Sequence, residues 1–310
     1  MSPFTIALKI VLLYIASIVS LSMSTSIRIG VITNYAVGPA FQELKQSADA
    51  LDVSLEQIKV PFIELSNFSD SELVKKTLSY DAVYYRTGLR DTALDHLTVI
   101  LKRANIPLIN GSEHSGSHRK VQQSLIADAA GILQPRGLSM ENPKYEKIAN
   151  KLGSSFIAKP DFSSHGTDVK LITSQADLTT LIKTTNRDRF IFQELIKNVS
   201  EYRVYTLGRK YIASYKKILP TGDFRANLHT GGSMITTEPK YVSLLSEFSA
   251  KVADAFQADI AGLDIFIADN TCMFLELNWQ PGWENLEAIT GINFSDETIK
   301  YICKIARTGH

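Results

Sequence analysis

The chain has 310 residues, of which 45% are hydrophobic and 21% are charged, a balance typical of globular proteins with enough apolar material for two or three packed lobes. The formal net charge of +1 and a pI near 7.7 give no electrostatic case for binding nucleic acid or an anionic membrane, so any positive charge that matters must be local. The two cysteines, Cys272 and Cys303, form neither a disulfide framework nor a metal-binding spacing, which fits a reducing compartment.

Residues 1–23 form an apolar leader. Its apolar run, 10–21, is too short for a firm transmembrane span, and it lacks the basic start and the small-residue cleavage site of a secretory signal. Two interpretations stay open. The leader is either an exported or membrane-tethering segment, or an upstream extension of a chain that begins at Met23.

Residues 24–112 predict a small parallel α/β domain, because short apolar strands alternate with amphipathic helices. The predicted strands are 27–33, 55–60, 81–85 and 107–109, and the predicted helices are 39–51, 70–79 and 91–104.

Residues 113–190 predict a second lobe, and residues 191–310 predict a third that combines antiparallel strands with two helices. In the second lobe we expect helices 119–130, 144–152 and 175–183, with strands 155–159, 169–173 and 190–194. In the third we expect strands 202–207 and 210–219, helix 241–256, a hairpin near 261–278 and helix 295–307.

The hairpin carries three oxygen ligands. Residues 268–271 have the composition of a turn, and a turn centred on Asn270 places Asp264 opposite Glu276. Since side chains alternate along a strand, Asn278 shares their face. The intervening residues should point into a core: Leu263, Ile265, Leu275 and Leu277.

Two carboxylates and an amide at this spacing suit Mg²⁺ or Mn²⁺, which proteins usually hold together with substrate phosphates. The alternative is a solvated hairpin face with ordinary surface acids.

Four other segments carry polar groups that suit a nucleotide. Lys159 ends a strand and opens a polar loop, and Lys120 begins a helix after a Gly/Ser loop. The strand from Phe190 could pair its backbone with an adenine edge, and Glu201 beyond it could accept both ribose hydroxyls. Each of these residues taken alone would be an unremarkable surface residue.

The fourth segment is the glycine-bounded loop 222–232, which holds Arg225, Asn227 and His229 directly after a strand. Arginine matches phosphate and carboxylate groups with two parallel hydrogen bonds. A flexible surface loop with scattered polar residues is the alternative interpretation.

Together these segments resemble the ATP-grasp superfamily, and within it the RimK-like carboxylate–amine ligases of the glutamate ligase type. The resemblance runs from about Ile27 to Arg307. Its most specific motifs lie at 193–196, 222–232, 262–264, 276–282 and 284–291. It implies an ATP-grasp fold in which 24–112 is a pre-ATP-grasp domain, 113–190 a central lid lobe and 191–310 the catalytic lobe.

The resemblance also implies a role for each matching residue. Lys120 and Lys159 would contact the ATP phosphates, and Glu201 would contact the ribose. The adenine would be lined by Gln193, Glu194, Leu195 and Ile196. Arg225 and Asn227 would lie beside the transferred phosphate, and two Mg²⁺ or Mn²⁺ ions would be held by Asp264, Glu276 and Asn278.

The chain departs from the family pattern at four places. His118-Arg119 stands where the family has Arg-Asp, and Glu201 stands where it has Asp. The phosphate-covering loop keeps only Gly166, with Asp168 at a glycine position. Trp279-Gln280 replaces two small residues and would narrow the acceptor pocket.

The implied reaction transfers the ATP γ-phosphoryl group to a carboxylate, and an amine then attacks the acyl phosphate to form an amide. Arg203 is the candidate for holding the acyl phosphate and the oxyanion, while Lys159 and Arg225 neutralise the phosphoryl charge. The substrates would be ATP, a carboxylate and an amine from an amino acid, peptide or protein terminus, with glutamate as the family-level expectation.

An ATP-consuming site favours a cytoplasmic chain that starts at Met23, with a homo-oligomer expected by analogy. Two other functions stay open: a nucleotide-binding regulatory or scaffold protein that has lost turnover, and a ligase tethered to a membrane by the leader.

Overall fold

The computed structural model describes residues 26–33, 38–59, 71–87, 92–112, 114, 119–162, 169–185, 189–218 and 233–308. The strands within these ranges form three sheets. Among the described residues, no helix combines the length and apolar composition needed to cross a bilayer. The apolar leader lies outside the described residues.

The N-terminal sheet is parallel, with strand order β2-β1-β3-β4. Its elements are β1 (Arg28–Ile32), α1 (Pro39–Ala50), β2 (Ser54–Ile58), α2 (Glu72–Thr77), β3 (Ala82–Tyr85), α3 (Thr92–Arg103) and β4 (Leu108–Ile109). All four residues of β3 are buried, as expected for a central strand of a parallel sheet covered on both faces.

The small antiparallel sheet follows, with strand order β5-β8-β6-β7. Its segment contains α4 (Lys120–Ala129), β5 (Gly137–Leu138), α5 (Tyr145–Leu152), β6 (Phe156–Pro160), β7 (Lys170–Ile172), α6 (Gln175–Thr185) and β8 (Phe190–Glu194). Alternate strand residues such as Phe156, Ala158 and Phe192 pack against α5 and α6. The residues between them in each strand therefore point to the other face of this sheet, away from the two helices.

The large antiparallel sheet has strand order β11-β10-β9-β12-β13. Its segment contains β9 (Ser200–Leu207), β10 (Lys210–Ile218), β11 (Ser233–Thr236), α7 (Pro239–Ala255), β12 (Ile260–Ala268), β13 (Thr271–Asn278), α8 (Glu284–Thr290) and α9 (Phe294–Thr308). On one face, Tyr202 and Val204 of β9 form a buried cluster with Leu245 and Val252 of α7.

The mixed α/β fold predicted from the sequence is confirmed, and every predicted helix and strand is present with bounds shifted by a few residues. Three short elements were missed, namely β5, β11 and α8. They have two, four and seven residues, too few for a periodic pattern to stand out.

One predicted core position is wrong. Asp264 pairs with Glu276 as expected, but Ile265 pairs with Phe274, so Leu275 is the extra residue of a β-bulge. The bulge reverses the alternation of β13. Phe274 is therefore buried in place of Leu275, which is half-buried, while Leu263, Ile265 and Leu277 are buried as predicted.

Candidate nucleotide and metal site

A row of charged side chains crosses the open face of the large sheet. In the strand register, Arg203 of β9 lies opposite Asp264 of β12, and Asp264 lies opposite Glu276 of β13. Asn278, two residues after Glu276, is on the same face. The structure therefore brings together the three predicted metal ligands and the predicted oxyanion arginine.

Asp264 is ion-paired from two sides. Arg203 NH1 lies 3.2 Å and Lys217 Nζ lies 2.8 Å from its Oδ1. Burial opposes ionisation of Asp264, but these two cations outweigh it and hold the pKa of the carboxyl below its usual range. Asp264 is therefore a carboxylate at neutral pH.

Lys217, which sequence reasoning missed, also pairs with Glu201, its Nζ lying 2.6 Å from Glu201 Oε1. Burial raises the pKa of Glu201, and the neighbouring ammonium acts against this rise. Lys217 stands opposite Glu201 in the β9–β10 pairing. A count from the turn, where Leu207 pairs with Lys210, would place Lys216 opposite Glu201. The register shift between Tyr211 and Ala213 brings Lys217 there instead, and the sequence does not reveal this shift.

The oxygen donors fit a magnesium-type ion in their chemistry. Glu276 keeps 38% of its side chain exposed, and Asn278 Oδ1 accepts a hydrogen bond from Gln280 N at 2.8 Å that fixes its direction. In the described part of the chain, no group of three or more His, Cys, Asp or Glu side chains is placed to hold a metal. Two carboxylates and an amide would thus leave positions for water and phosphate oxygens, as Mg²⁺ prefers.

The two predicted phosphate lysines meet at the edge of this face. Lys120 Nζ is 3.7 Å from Glu276 Oε2. Lys159 points away from the core that Phe156 and Ala158 form with α5 and α6. Burial lowers the pKa of Lys159, and the attraction of Glu276 acts in the opposite direction.

Asp161 explains why these lysines converge. The side chain of Arg119, the N-cap residue of α4, makes no capping hydrogen bond. Asp161 caps the helix instead: its Oδ1 accepts a hydrogen bond from Val121 N at 2.9 Å, and its backbone carbonyl accepts one from Lys120 N at 2.9 Å. Because Asp161 lies two residues after Lys159, this cap joins the start of α4 to the end of β6. Sequence reasoning did not identify this role.

The predicted adenine segment lies at the end of β8. Gln193 is buried, and Leu195 and Ile196 are half-buried. The Glu194 carboxylate is held by Arg136, accepting from its backbone N and its Nε at 2.7 Å each. The assignment of this segment to adenine stays a prediction.

The remaining predicted site residues, Arg225 and Asn227, lie outside the described residues, as do the rest of loop 222–232 and residues 163–168 of the phosphate loop.

Comparison with solved structures supports the fold. The structure aligns with the ATP-grasp ligase PsnB complexed with a minimal precursor at a TM-score of 0.67 and 17% identity, covering 90% of this chain and 99% of that one. A D-alanine–D-alanine ligase from Bacillus anthracis complexed with ATP aligns at a TM-score of 0.64 and 17% identity, covering 91% of this chain and 98% of that one. The predicted ATP-grasp fold is confirmed.

Comparison of sequences identifies the family. A probable alpha-L-glutamate ligase from Pasteurella multocida is 27% identical over 74% of this chain and 75% of its own length. A second, from Hahella chejuensis, is 26% identical over 76% of this chain and 80% of its own length. The RimK-like ATP-grasp domain matches residues 119–302, more than half of the chain. The chain therefore belongs to the RimK-like ATP-grasp family, and its predicted assignment to a family of carboxylate–amine ligases is confirmed.

Proposed function

We propose that this protein uses ATP to join a carboxylate to an amine through an acyl phosphate, releasing ADP and phosphate. The observation that carries the proposal is the register of the large sheet, which aligns Arg203, Asp264 and Glu276 in one row. The two lysines from α4 and β6 lie at the end of this row. Alternating positive and negative groups of this kind suit a triphosphate with its counter-ions.

Each residue then has a task. Lys120 and Lys159 bind phosphate oxygens, and Arg203 holds the acyl phosphate and the oxyanion that forms when the amine attacks. Asp264, Glu276 and Asn278 would hold two Mg²⁺ or Mn²⁺ ions, which would neutralise charge on the triphosphate. Arg225 and Asn227 act beside the transferred phosphate, and Glu201 binds the ribose. The segment 193–196 lines the adenine.

The proposed amine or carboxylate unit is an amino acid such as glutamate, because the named relatives are probable alpha-L-glutamate ligases. The partner substrate is a peptide, a protein terminus or a small molecule, and one structural neighbour, another PsnB complex, holds the precursor peptide PsnA2. We propose that the protein acts in the cytoplasm and as a homo-oligomer. We propose three domains, with the limits 24–112, 113–190 and 191–310.

The proposal is tested by ADP release with ATP, Mg²⁺, L-glutamate and a panel of carboxylate and amine partners. We expect Glu276→Gln and Asn278→Ala to lower the rate at least about a hundredfold, because each removes charge stabilisation from the transferred phosphoryl group. Glu247→Gln, which alters an exposed acid on α7, is the matched control. Circular dichroism should show the same melting temperature for all four proteins within a few degrees.

Three results would count against the proposal. Full activity in Glu276→Gln would reject the metal assignment. Nucleotide binding without ADP release for any substrate pair would favour the regulatory or scaffold alternative instead. ADP release without an amide among the products, as measured by mass spectrometry, would reject amide formation.

A further inference from the structure

Arg86 is an arginine buried between two lobes. It follows β3, at the carboxyl edge of the N-terminal sheet, and its backbone N donates to Ile32 O at 2.9 Å. Only 7% of its surface is exposed. Ligands of open parallel α/β sheets bind outside this edge, so Arg86 occupies a position where function is common.

The side chain of Arg86 reaches across to the loop that follows the β12–β13 hairpin. Its NH2 donates to Pro281 O at 3.0 Å, and its guanidinium stacks on the Trp283 ring at 4.8 Å from the centroid. The contact joins residues 195 positions apart in the chain. Pro281 is three residues after Asn278, the proposed metal ligand.

Three consecutive residues of this loop are each held by a different hydrogen bond. Asn278 Oδ1 accepts from Gln280 N at 2.8 Å, Pro281 O accepts from Arg86, and Gly282 O accepts from Tyr205 Oη at 2.5 Å. The bond from Gln280 lies within the loop, and the bond from Tyr205 comes from the large sheet. The bond from Arg86 is the one that comes from the N-terminal sheet.

The burial of Arg86 is costly for stability. Its Nε is buried, and the described residues supply it with no hydrogen-bond partner; an unsatisfied polar group of this kind destabilises the folded state. Glu43 and Glu284 lie near enough to attract it electrostatically. Because apolar residues of similar volume often stabilise a core as well as buried charges do, a buried arginine with an unused donor is weak evidence for a stabilising role, and a positioning role accounts better for its contacts.

We propose that Arg86 is a positioning residue through which the N-terminal sheet fixes the 279–283 loop, and thereby the direction in which Asn278 presents its oxygen to a divalent cation. The inference rests on the proposed function. It predicts that loss of Arg86 weakens cation binding and slows turnover at limiting Mg²⁺, while the KM for ATP at saturating Mg²⁺ stays the same.

The test compares Arg86→Met with Arg28→Met. Arg28 is a matched control because it also stacks on an aromatic ring, that of Tyr80 at 5.3 Å, and donates to a backbone carbonyl, that of Ser79 at 3.2 Å. Its contacts stay within the N-terminal sheet and its helices. Binding of Mn²⁺ in the presence of ADP is measured by electron paramagnetic resonance of the free ion, independently of activity.

We expect Arg86→Met to raise the Kd for Mn²⁺ about tenfold, as the loss of one hydrogen bond from a charged donor would. Arg28→Met should bind Mn²⁺ as the wild type does. An unchanged Kd in Arg86→Met, or an equal rise in Arg28→Met, would overturn the inference and leave the proposed function standing. A wild type that binds no Mn²⁺ with ADP would overturn both.

Arg86→Lys covers the case in which Arg86→Met does not fold. Lysine keeps the charge and can reach a carbonyl, but it lacks the planar group that stacks on Trp283. We expect its Kd for Mn²⁺ to lie between those of the wild type and Arg86→Met. If Arg86→Lys folds and Arg86→Met does not, a Kd for Mn²⁺ in Arg86→Lys equal to that of the wild type would overturn the inference.

Discussion

Lys217 shows how single residues make the candidate site possible. Glu201 and Asp264 are both nearly buried, with 13% and 18% of their side chains exposed, and two unpaired carboxylates could not stay charged there. The Lys217 ammonium touches both. Burial alone would lower the pKa of Lys217, but these two acids outweigh it and raise the pKa above its usual value.

We expect Lys217→Met to destabilise the protein by about 3 to 5 kcal/mol at pH 7, because the buried Glu201 loses its ammonium partner and Asp264 keeps only Arg203. Lys210→Met, at an exposed position on the same strand, should change stability by less than about 0.5 kcal/mol. Urea unfolding followed by circular dichroism measures both. Equal stability of the two variants would show that Lys217 is not the counter-ion of this pair.

At the scale of elements, the side chain of Gln123 ties α4 to the backbone of the β12–β13 hairpin. Gln123 Nε2 donates to Leu277 O at 2.8 Å, and Gln123 Oε1 accepts from Leu277 N at 2.9 Å, so a glutamine takes the place of a neighbouring strand at the edge of β13. Leu277 lies between the proposed ligands Glu276 and Asn278. The helix that begins with Lys120 therefore also supports the strand that carries the proposed metal ligands.

Replacing Gln123 with alanine should lower the free energy of unfolding by about 2 to 4 kcal/mol, because both buried backbone groups of Leu277 lose their partners. Gln122→Ala is the control, since the neighbouring glutamine is exposed on the same helix. Chemical denaturation at pH 7 compares the two. A loss below 1 kcal/mol for Gln123→Ala would mean that water replaces the side chain without cost.

The elements also show what the sequence could predict. Alternation along β12 and β13 identified the face that carries Asp264, Glu276 and Asn278, because every second residue points the same way. The same rule failed at Leu275, since a bulge depends on how two strands pair and leaves no mark in the pattern of one strand. Local patterns therefore predict faces better than registers.

Contacts between distant elements could not be predicted at all. Gln123, Asp161, Arg86 and Lys217 are ordinary polar residues in the sequence, and their roles follow from partners between 16 and 195 positions away. The family resemblance named the candidate ligand-binding residues and did not identify the residues that hold them in place.

At the scale of the molecule, the N-terminal sheet and the large sheet share one hydrophobic core. A single buried cluster contains Ile29 and Tyr84 of the N-terminal sheet with Phe41 of α1, together with Tyr205 of the large sheet and Phe294 of α9. Helix α1 packs against α9 within it. A continuous core favours cooperative unfolding of both parts, in contrast to lobes that meet only through a polar interface.

Asn110 joins the same two sheets through hydrogen bonds. Its Nδ2 donates to Ile260 O at 2.8 Å, its Oδ1 accepts from Ile260 N at 2.9 Å, and its backbone N donates to Asp259 Oδ2 at 2.8 Å. The residue is fully buried, with a left-handed φ of 56°. Although Asn110 lies in an Asn-x-Ser sequence, a glycan there is incompatible with this packing.

We expect Asn110→Ala to lower the melting temperature by about 4 to 8 °C in a single calorimetric transition, because two buried backbone groups lose their partners while the shared core still couples the two sheets. Asn105→Ala controls for the cost of alanine at positive φ, since Asn105 has a φ of 57° and is exposed. Its melting temperature should fall less, by the strain alone. Two separate transitions in Asn110→Ala would show that this residue, and not the core, makes the two sheets unfold together.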